Sequence, residues 1–377
     1  MVGVLPTPAI AFLTKSIRAD AGVVISASHN PYYDNGIKFF NANGYKLPDM
    51  TEHEIERMID NNEPALDPEE IGKAYRIEGI GRYVEFVKNT FPKNIDLKGM
   101  KIVLDCANGA AYKAAPLALR ELGADLILLN IEPNGKNIND NCGAVHPESM
   151  AQAVVKHKAD VGISFDGDAD RVVFADENGE IIDGDKIMGI CAIEMMDKGI
   201  LRNNTIVATI MSNLGFEYSM NKKGIKLIRS QVGDRYVMED MIKHNCNLGG
   251  EQSGHLIFSD FNTTGDGLIS AMQLLGILVT KNKKLSELCS FIESYPQILK
   301  NVVVDKKIPL EQLTKTSELI NKITKELGST GRVLVRYSGT ENKLRVMIEG
   351  KDENIVSNYV EDIIVSANKE IKGFKHG

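Results

Sequence analysis

Ser26-Ala27-Ser28-His29-Asn30-Pro31 follows an apolar run at residues 21–25, and Lys38 stands a few positions on. The run reads as a buried strand, and proline closes the small-residue loop behind it. A serine hydroxyl displayed past a strand end can serve as a nucleophile or a phosphate carrier. The competing reading is a simple turn, with Ser28 and Asn30 bonded to backbone.

A second loop, Asp166-Gly-Asp168-Ala-Asp170-Arg171, follows the strand pattern at 161–165. In extended backbone, side chains two apart share a side, so the three carboxylates can converge. Carboxylates that close repel unless a cation joins them. Oxygen donors in this number suit one Mg²⁺, which keeps water or phosphate oxygens as its other ligands. The spacing also resembles the start of an EF-hand loop, with Glu177 in the twelfth place. However, Arg171 stands where that loop turns on glycine, and strand patterns at 172–175 and 181–182 flank it. We therefore reject calcium. A solvated acidic turn is the plain alternative, but α/β folds place ligands at strand ends.

Two further loops complete the set. Gly249-Gly-Glu251-Gln-Ser253-Gly-His255 joins three glycines, which admit close backbone approach, to a carboxylate and a hydroxyl able to bond sugar hydroxyls or an amine. Arg336-Tyr-Ser338-Gly339-Thr340-Glu-Asn lies between two apolar strands, with Arg345 on the second. A guanidinium fork, two hydroxyls and loop amides make an anion site. By themselves both loops are equally readable as polar hairpins.

The elements that hold these loops alternate between strand and helix, which argues α/β architecture. Strands are expected at 101–105, 125–129, 161–165, 205–210 and 225–229. Helices are expected at 51–61, 110–122, after Pro147, from Gly184, at 215–223 and 234–244, and from Gly265. The last block differs: a strand at 302–305, a helix at 310–327, two strands around 336–340, and a final helix. In that final helix Ile355, Val356, Tyr359, Val360, Ile363 and Ile364 form one apolar stripe.

Composition bounds what this machinery can act on. The 377 residues are 43% hydrophobic and 25% charged, enough for several cores. A net charge of −7 without a basic block argues against nucleic acid. No segment is apolar enough to span a membrane, and the N-terminus has no signal pattern. Five scattered cysteines read as reduced thiols of a cytoplasmic protein.

Taken together and in this order, the loops resemble the α-D-phosphohexomutase superfamily, best its bacterial phosphoglucosamine mutase branch. The carriers are Pro6-Thr-Pro-Ala-Ile-Ala11, Ile25 through Phe39, Asp166 through Arg171, Gly249 through His255 and Arg336 through Glu341. The resemblance implies three related α/β domains with mixed sheets, the first incomplete, plus a smaller α+β domain, all around a central cleft. The boundaries read here are 1–78, 79–181, 182–296 and 297–377. It implies that Ser28 carries the phosphoryl group and that Asp166, Asp168 and Asp170 hold Mg²⁺ beside it, with Ser28 as a further ligand. Glu251 and Ser253 would contact sugar hydroxyls. Arg336, Ser338, Gly339, Thr340 and Arg345 would hold the non-reacting phosphate. His29, Lys38, Arg171 and His255 would fall at catalytic positions. The implied reaction interconverts glucosamine 6-phosphate and glucosamine 1-phosphate through a hexosamine 1,6-bisphosphate, toward cell-wall precursors. Glucose and mannose phosphates are the alternative substrates, and a homodimer is an arrangement left open. A metal-dependent phosphatase is disfavoured, because the seven histidines form no cluster.

Two departures accompany the resemblance. Asn342-Lys343-Leu344 follows Glu341 where the branch shows proline and an apolar pair. Family members also open with a Gly-Thr-Asp-Gly-Val-Arg-Gly type loop, several tens of residues before the position of Val4. The expectation is therefore a shortened start, with an unpaired edge or exposed apolar surface in the first domain. The other three domains should fold, with activity weak or absent, leaving a sugar-phosphate binder as the other reading.

Overall fold

The chain divides into two units, residues 1–211 with 223–291, and residues 212–222 with 292–377. The computed structural model describes residues 1–61, 67, 69, 71–338 and 342–373.

The first unit opens with α1 (Thr7–Ser16), started by Pro8 in its first turn and buried along Ala9, Ala11 and Leu13. It covers a hairpin of β1 (Ala21–Ser26) and β2 (Gly36–Asn41), paired antiparallel with Ser26 opposite Gly36. Val24 and Phe40 pack on Ala11, while Val23 and Ile25 on the other face are 53% and 74% exposed. Met1, Val4, Val23, Ile25 and Tyr112 line a groove of about 740 Å³ there. Sequence reading had neither α1 nor β2, because prolines interrupt the first and Lys38 and glycine dilute the second.

Helices α2 (Asp49–Asp60) and α3 (Ile80–Lys88) lead to a five-stranded sheet. Its elements are β3 (Lys101–Asp105), α4 (Ala111–Glu121), β4 (Asp125–Leu129), α5 (Glu148–His157), β5 (Val161–Phe165), β6 (Val172–Ala175) and β7 (Ile181–Ile182). The strand order is β4-β3-β5-β6-β7. The first three strands are parallel, and β5, β6 and β7 are antiparallel neighbours. β5 and β6 are buried throughout, as strands covered on both faces must be. Helix α6 (Gly184–Asp197) is N-capped by Asp183.

After β8 (Thr205–Thr209) the chain forms α7 (Leu214–Lys222), which packs with the second unit. It returns as β9 (Lys226–Ser230), α8 (Asp234–His244), β10 (Leu248–Gly250) and β11 (Leu256–Phe258), giving the sheet order β11-β10-β8-β9. Helices α9 (Gly267–Lys281) and α10 (Leu285–Cys289) close the unit.

Helix α9 is apolar on nearly every side, and Asp266 caps it by accepting from the Ile269 amide. Asp266 also accepts from Tyr83 Oη at 2.8 Å and Asn262 Nδ2 at 3.0 Å. Burial pushes its carboxyl up to about 6, against the pull of those bonds. An acid raised in the folded state binds its proton more tightly there. Its stabilising contribution is therefore full below pH ~4 and is lost as the pH rises through ~6. A rise of this size corresponds to about 3 kcal/mol. Relative to Asp266→Asn, the parent should lose about that much stability between pH 4 and pH 7. Denaturant unfolding at the two pH values checks this, and a constant difference would rule it out.

The second unit holds β12 (Gln297–Val303), α11 (Thr314–Leu327), β13 (Gly331–Tyr337), β14 (Lys343–Gly350) and α12 (Glu353–Gly373), with the antiparallel order β12-β14-β13. Two expectations need correction. The strand expected at 302–305 lies earlier, because the pairing with β14 runs from Gln297 to Val303. The helix expected from 310 is broken: Leu313 leaves helical geometry at φ −86°, ψ 73°, between a short 3₁₀ turn and α11. Of the apolar stripe on α12, Val356, Val360 and Ile363 are buried, Tyr359 and Ile364 pack beside them, and Ile355 is exposed. Among the described residues, no helix is long and apolar enough to cross a membrane.

Candidate functional site

β1 ends at Ser26, and the backbone then turns sharply. The Ser28 amide donates to Ser26 Oγ at 2.9 Å, and the Asn30 amide to the Ala27 carbonyl at 2.9 Å. Ser28 itself has φ +52°, a left-handed conformation that a serine adopts at a cost of roughly 1 kcal/mol. Such strain persists only where surroundings impose it, and it collects at functional sites.

The surroundings here are the aspartate loop. A Cβ on Gly167 would stand 2.5 Å from the Ser28 carbonyl oxygen, so the serine loop lies directly on Gly167. A Cβ on Gly109 would in turn stand 2.6 Å from Gly167 Cα, and the Ala110 amide bonds the Gly167 carbonyl at 2.7 Å. Three backbone segments thus stack closely, with the Ile138 side chain also against Gly167.

Asp166, Asp168 and Asp170 are buried, each with an oxygen within 4.8 Å of the others'. The Arg171 amide donates to Asp166 Oδ1 at 3.1 Å. Thr7 Oγ1 donates to Asp168 Oδ2 at 2.6 Å. Lys38 Nζ reaches Asp168 Oδ2 at 2.7 Å and Asp170 Oδ2 at 3.1 Å. What remains is one buried, unpartnered oxygen on each carboxylate: Asp166 Oδ2, Asp168 Oδ1 and Asp170 Oδ1. Buried acceptors are otherwise satisfied in folded proteins. A tight cluster of three buried carboxylates, each with a hard oxygen left over, is a ligand set for one divalent cation such as Mg²⁺.

The electrostatics agree with this geometry. Burial, then Asp170 and Asp168, push the Asp166 carboxyl well above the usual range. Burial pulls the same way on Asp170, but Lys38, His255 and Arg171 outweigh it and hold Asp170 below that range. For Lys38, burial favours the neutral amine, yet Asp170 and Asp168 prevail and keep it charged. His29 is lowered by burial and then by Arg171, with Asp170, Asp168 and Lys38 also acting on it. Its Nδ1 is buried and unpartnered.

Arg171 pairs with His255 in an isolated antiparallel bridge. His255 is buried, with Nε2 3.9 Å from Asp170 Oδ2 and 3.4 Å from Asp234 Oδ2. Gly265 packs against its ring. Lys46 pairs with Asp234. Glu251 Oε1 accepts from the Gly233 amide at 3.2 Å, Oε2 from Ser253 Oγ at 3.2 Å, and its charge acts on Arg171. The first unit therefore gathers Ser28, His29, Lys38, the three aspartates, Arg171, Glu251, Ser253 and His255 around neighbouring loops.

Sequence reading missed Thr7, Lys46, Asn139 and Asp234. Thr7 lay inside a quoted segment but off any chemistry-bearing pattern. Asp234 follows Gly233 at a helix start, a signal that points as readily to a cap.

In the second unit, Arg336 on β13 stands directly opposite Arg345 on β14. Like charges facing across a strand pair are unfavourable without an anion. Arg345 Nη2 reaches Ser338 Oγ at 3.4 Å, and Lys307 Nζ donates to the Ser338 carbonyl at 2.7 Å. Cations thus surround the start of the loop. Gly339 and Thr340 lie outside the described residues.

Four family models match the chain in order. They are the phosphoglucomutase/phosphomannomutase alpha/beta/alpha domain I at residues 1–65, domain II at 81–179, domain III at 183–295 and the C-terminal domain at 299–365. The phosphoglucosamine mutase of Citrifermentans bemidjiense is 54% identical over 381 residues, covering 100% of this chain and 84% of its own length. A phosphoglucomutase/phosphomannomutase family protein from Burkholderia thailandensis shares the fold at a TM-score of 0.77 and 23% identity, over 98% of this chain and 82% of that one. Aspergillus fumigatus N-acetylphosphoglucosamine mutase, solved with GlcNAc-6P and magnesium, matches at a TM-score of 0.67 and 18% identity, over 96% and 92%.

Proposed function

We propose a function from one premise: this chain belongs to the phosphoglucomutase/phosphomannomutase family, whose members are phosphohexomutases. The substrate pair we assign is glucosamine 6-phosphate and glucosamine 1-phosphate, exchanged through a hexosamine 1,6-bisphosphate. The support for glucosamine is the relatives' naming at 54% identity. The observation that carries the phosphoryl chemistry is the serine loop lying on Gly167, between three aspartates that each keep an unpartnered oxygen.

In this reading phospho-Ser28 donates to one sugar hydroxyl. The bond between phosphorus and Ser28 Oγ breaks, a bond to the sugar oxygen forms, and the hydroxyl proton must leave. His29, held toward its neutral form by burial and Arg171, can accept that proton. Lys38, held charged, sits where negative charge accumulates and can protonate the departing Ser28 oxygen. His255 stands beside the same charge, steadied by Asp170 and Asp234. Mg²⁺ held by Asp166, Asp168 and Asp170 would supply charge neutralisation for the phosphoryl oxygens.

Glu251 and Ser253 orient the sugar. Arg336, Arg345 and Ser338, together with Gly339 and Thr340, hold the phosphate that is not reacting. The bisphosphate then turns, and its other phosphoryl group returns to Ser28. The five cysteines among the described residues are free and buried, which fits the reducing cytoplasm we assign.

The test is isomerisation of glucosamine 6-phosphate with Mg²⁺ and a trace of hexose bisphosphate, beside glucose and mannose phosphates. We expect kcat/KM for the glucosamine ester to exceed the other two by at least about tenfold, an increment a site built around one amine contact can supply. Equal or reversed preference would replace the sugar assignment. No turnover of any of the three would remove the enzyme reading of this chain.

A further inference from the structure

We propose that Asn139 is a positioning residue that imposes the left-handed conformation of Ser28 and so aims the phosphoryl-carrying hydroxyl; the proposal rests on the mutase reading above. Asn139 lies between β4 and α5 and is 93% buried, its exposure being 7%. Its Nδ2 donates to the Ser28 carbonyl at 2.7 Å and to the Asn30 carbonyl at 2.9 Å. Both amide hydrogens are used on one loop, while Oδ1 is buried without a partner. Two carbonyl partners fix which end of the amide faces the loop. A buried acceptor left idle beside two satisfied donors marks a group retained for donation.

The platform under Asn139 is rigid. Its own backbone is left-handed at φ +56°, a conformation asparagine tolerates. Its amide donates to the Ala107 carbonyl at 3.0 Å. Asp105, at the end of β3, accepts from the Ala107 amide at 2.8 Å and the Gly143 amide at 3.0 Å, tying both ends of the segment down. The Ser28 carbonyl is therefore held between the Asn139 amide and Gly167 Cα. With the carbonyl held and φ at +52°, the Cα–Cβ direction of Ser28 is set, and only rotation about χ1 remains to its hydroxyl. The support for the serine thus comes from the sheet that carries the metal loop as well as from its own hairpin.

The test uses the full chain with Asn139→Gly, which keeps the positive φ, and Asn139→Asp, which keeps the shape but removes both donors. Amide hydrogen exchange across residues 26–31 should accelerate at least about tenfold in both, the loss of two hydrogen bonds near 1 kcal/mol each. Phosphoryl uptake on Ser28 from labelled glucose 1,6-bisphosphate should slow by a similar factor or more. The KM for the sugar phosphate and the affinity for Mn²⁺ should stay within about twofold, because neither set of contacts is touched. Unchanged exchange at 26–31 would overturn the proposal, as would faster exchange with phosphoryl uptake intact. A parent protein that takes no label on Ser28 would instead overturn the mutase reading, while exchange still decides whether Asn139 holds the loop.

Discussion

Alanine at Ser28 is expected to lower mutase turnover by at least roughly 10⁴-fold, to the assay background, because it removes the hydroxyl that carries the phosphoryl ester. The methyl side chain is no obstacle to the left-handed backbone beyond what serine already tolerates, so folding should be nearly unaffected. Ser26→Ala provides the contrast. Its hydroxyl accepts the Ser28 amide at 2.9 Å, and its loss should loosen the turn and cost no more than about 30-fold in kcat, in line with one hydrogen bond. Steady-state kinetics, with mass analysis of the 26–31 peptide after incubation with a bisphosphate, reads both. A phosphorylated, active Ser28→Ala protein would refute the assignment, and a dead Ser26→Ala beside an active Ser28→Ala would transfer the role.

Stripping divalent cations is expected to have an effect nearly as large, with activity falling by about 10³-fold or more and returning on addition of Mg²⁺. Asp166→Asn should make the defect permanent. It keeps the acceptor for the Arg171 amide but removes one of the three unpartnered oxygens and its charge, and Mn²⁺ affinity should fall at least about 100-fold. The metal-free variant should nevertheless be no less stable than the parent, and its Tm should rise by a few degrees. The reason is the same crowding that raises the Asp166 carboxyl: burial with two like charges beside it. Full activity after chelation, or a less stable metal-free variant with unaltered Mn²⁺ binding, would contradict the cation site.

Much of this arrangement was legible as residue types at fixed spacing. The aspartate triplet after β5 converges because alternate side chains share a side, and sequence alone carries that rule. The parallel part of the five-stranded sheet was likewise readable, since strands 101–105, 125–129 and 161–165 are bounded by helical patterns and turns. What was not legible depends on long-range packing. β2 is weakly marked, because Gly36 and Lys38 interrupt the β-favouring Ile37, Phe39 and Phe40, and the pairing with β1 completes it. Thr7 meets Asp168 across 161 residues, and Asn139 meets Ser28 across 111. Neither residue stands in a pattern whose spacing announces a partner so far away. The break at Leu313 is hidden in the sequence because the apolar periodicity runs through it, whereas the helical geometry does not.

The stack of Gly109, Gly167 and the Ser28 carbonyl also constrains how this sequence can drift. A methyl group at position 167 meets the serine loop, and one at 109 meets position 167, so each substitution strikes a neighbour that is main chain and has no rotamer to give. No compensating side-chain change can open that space. A viable path from either glycine would have to move two loops in one step, which single-nucleotide replacement does not supply. A saturation library selected for growth should therefore leave positions 109 and 167 almost empty of survivors. Exposed Val23 and Ile25, on the open face of the hairpin beside them, should accept many.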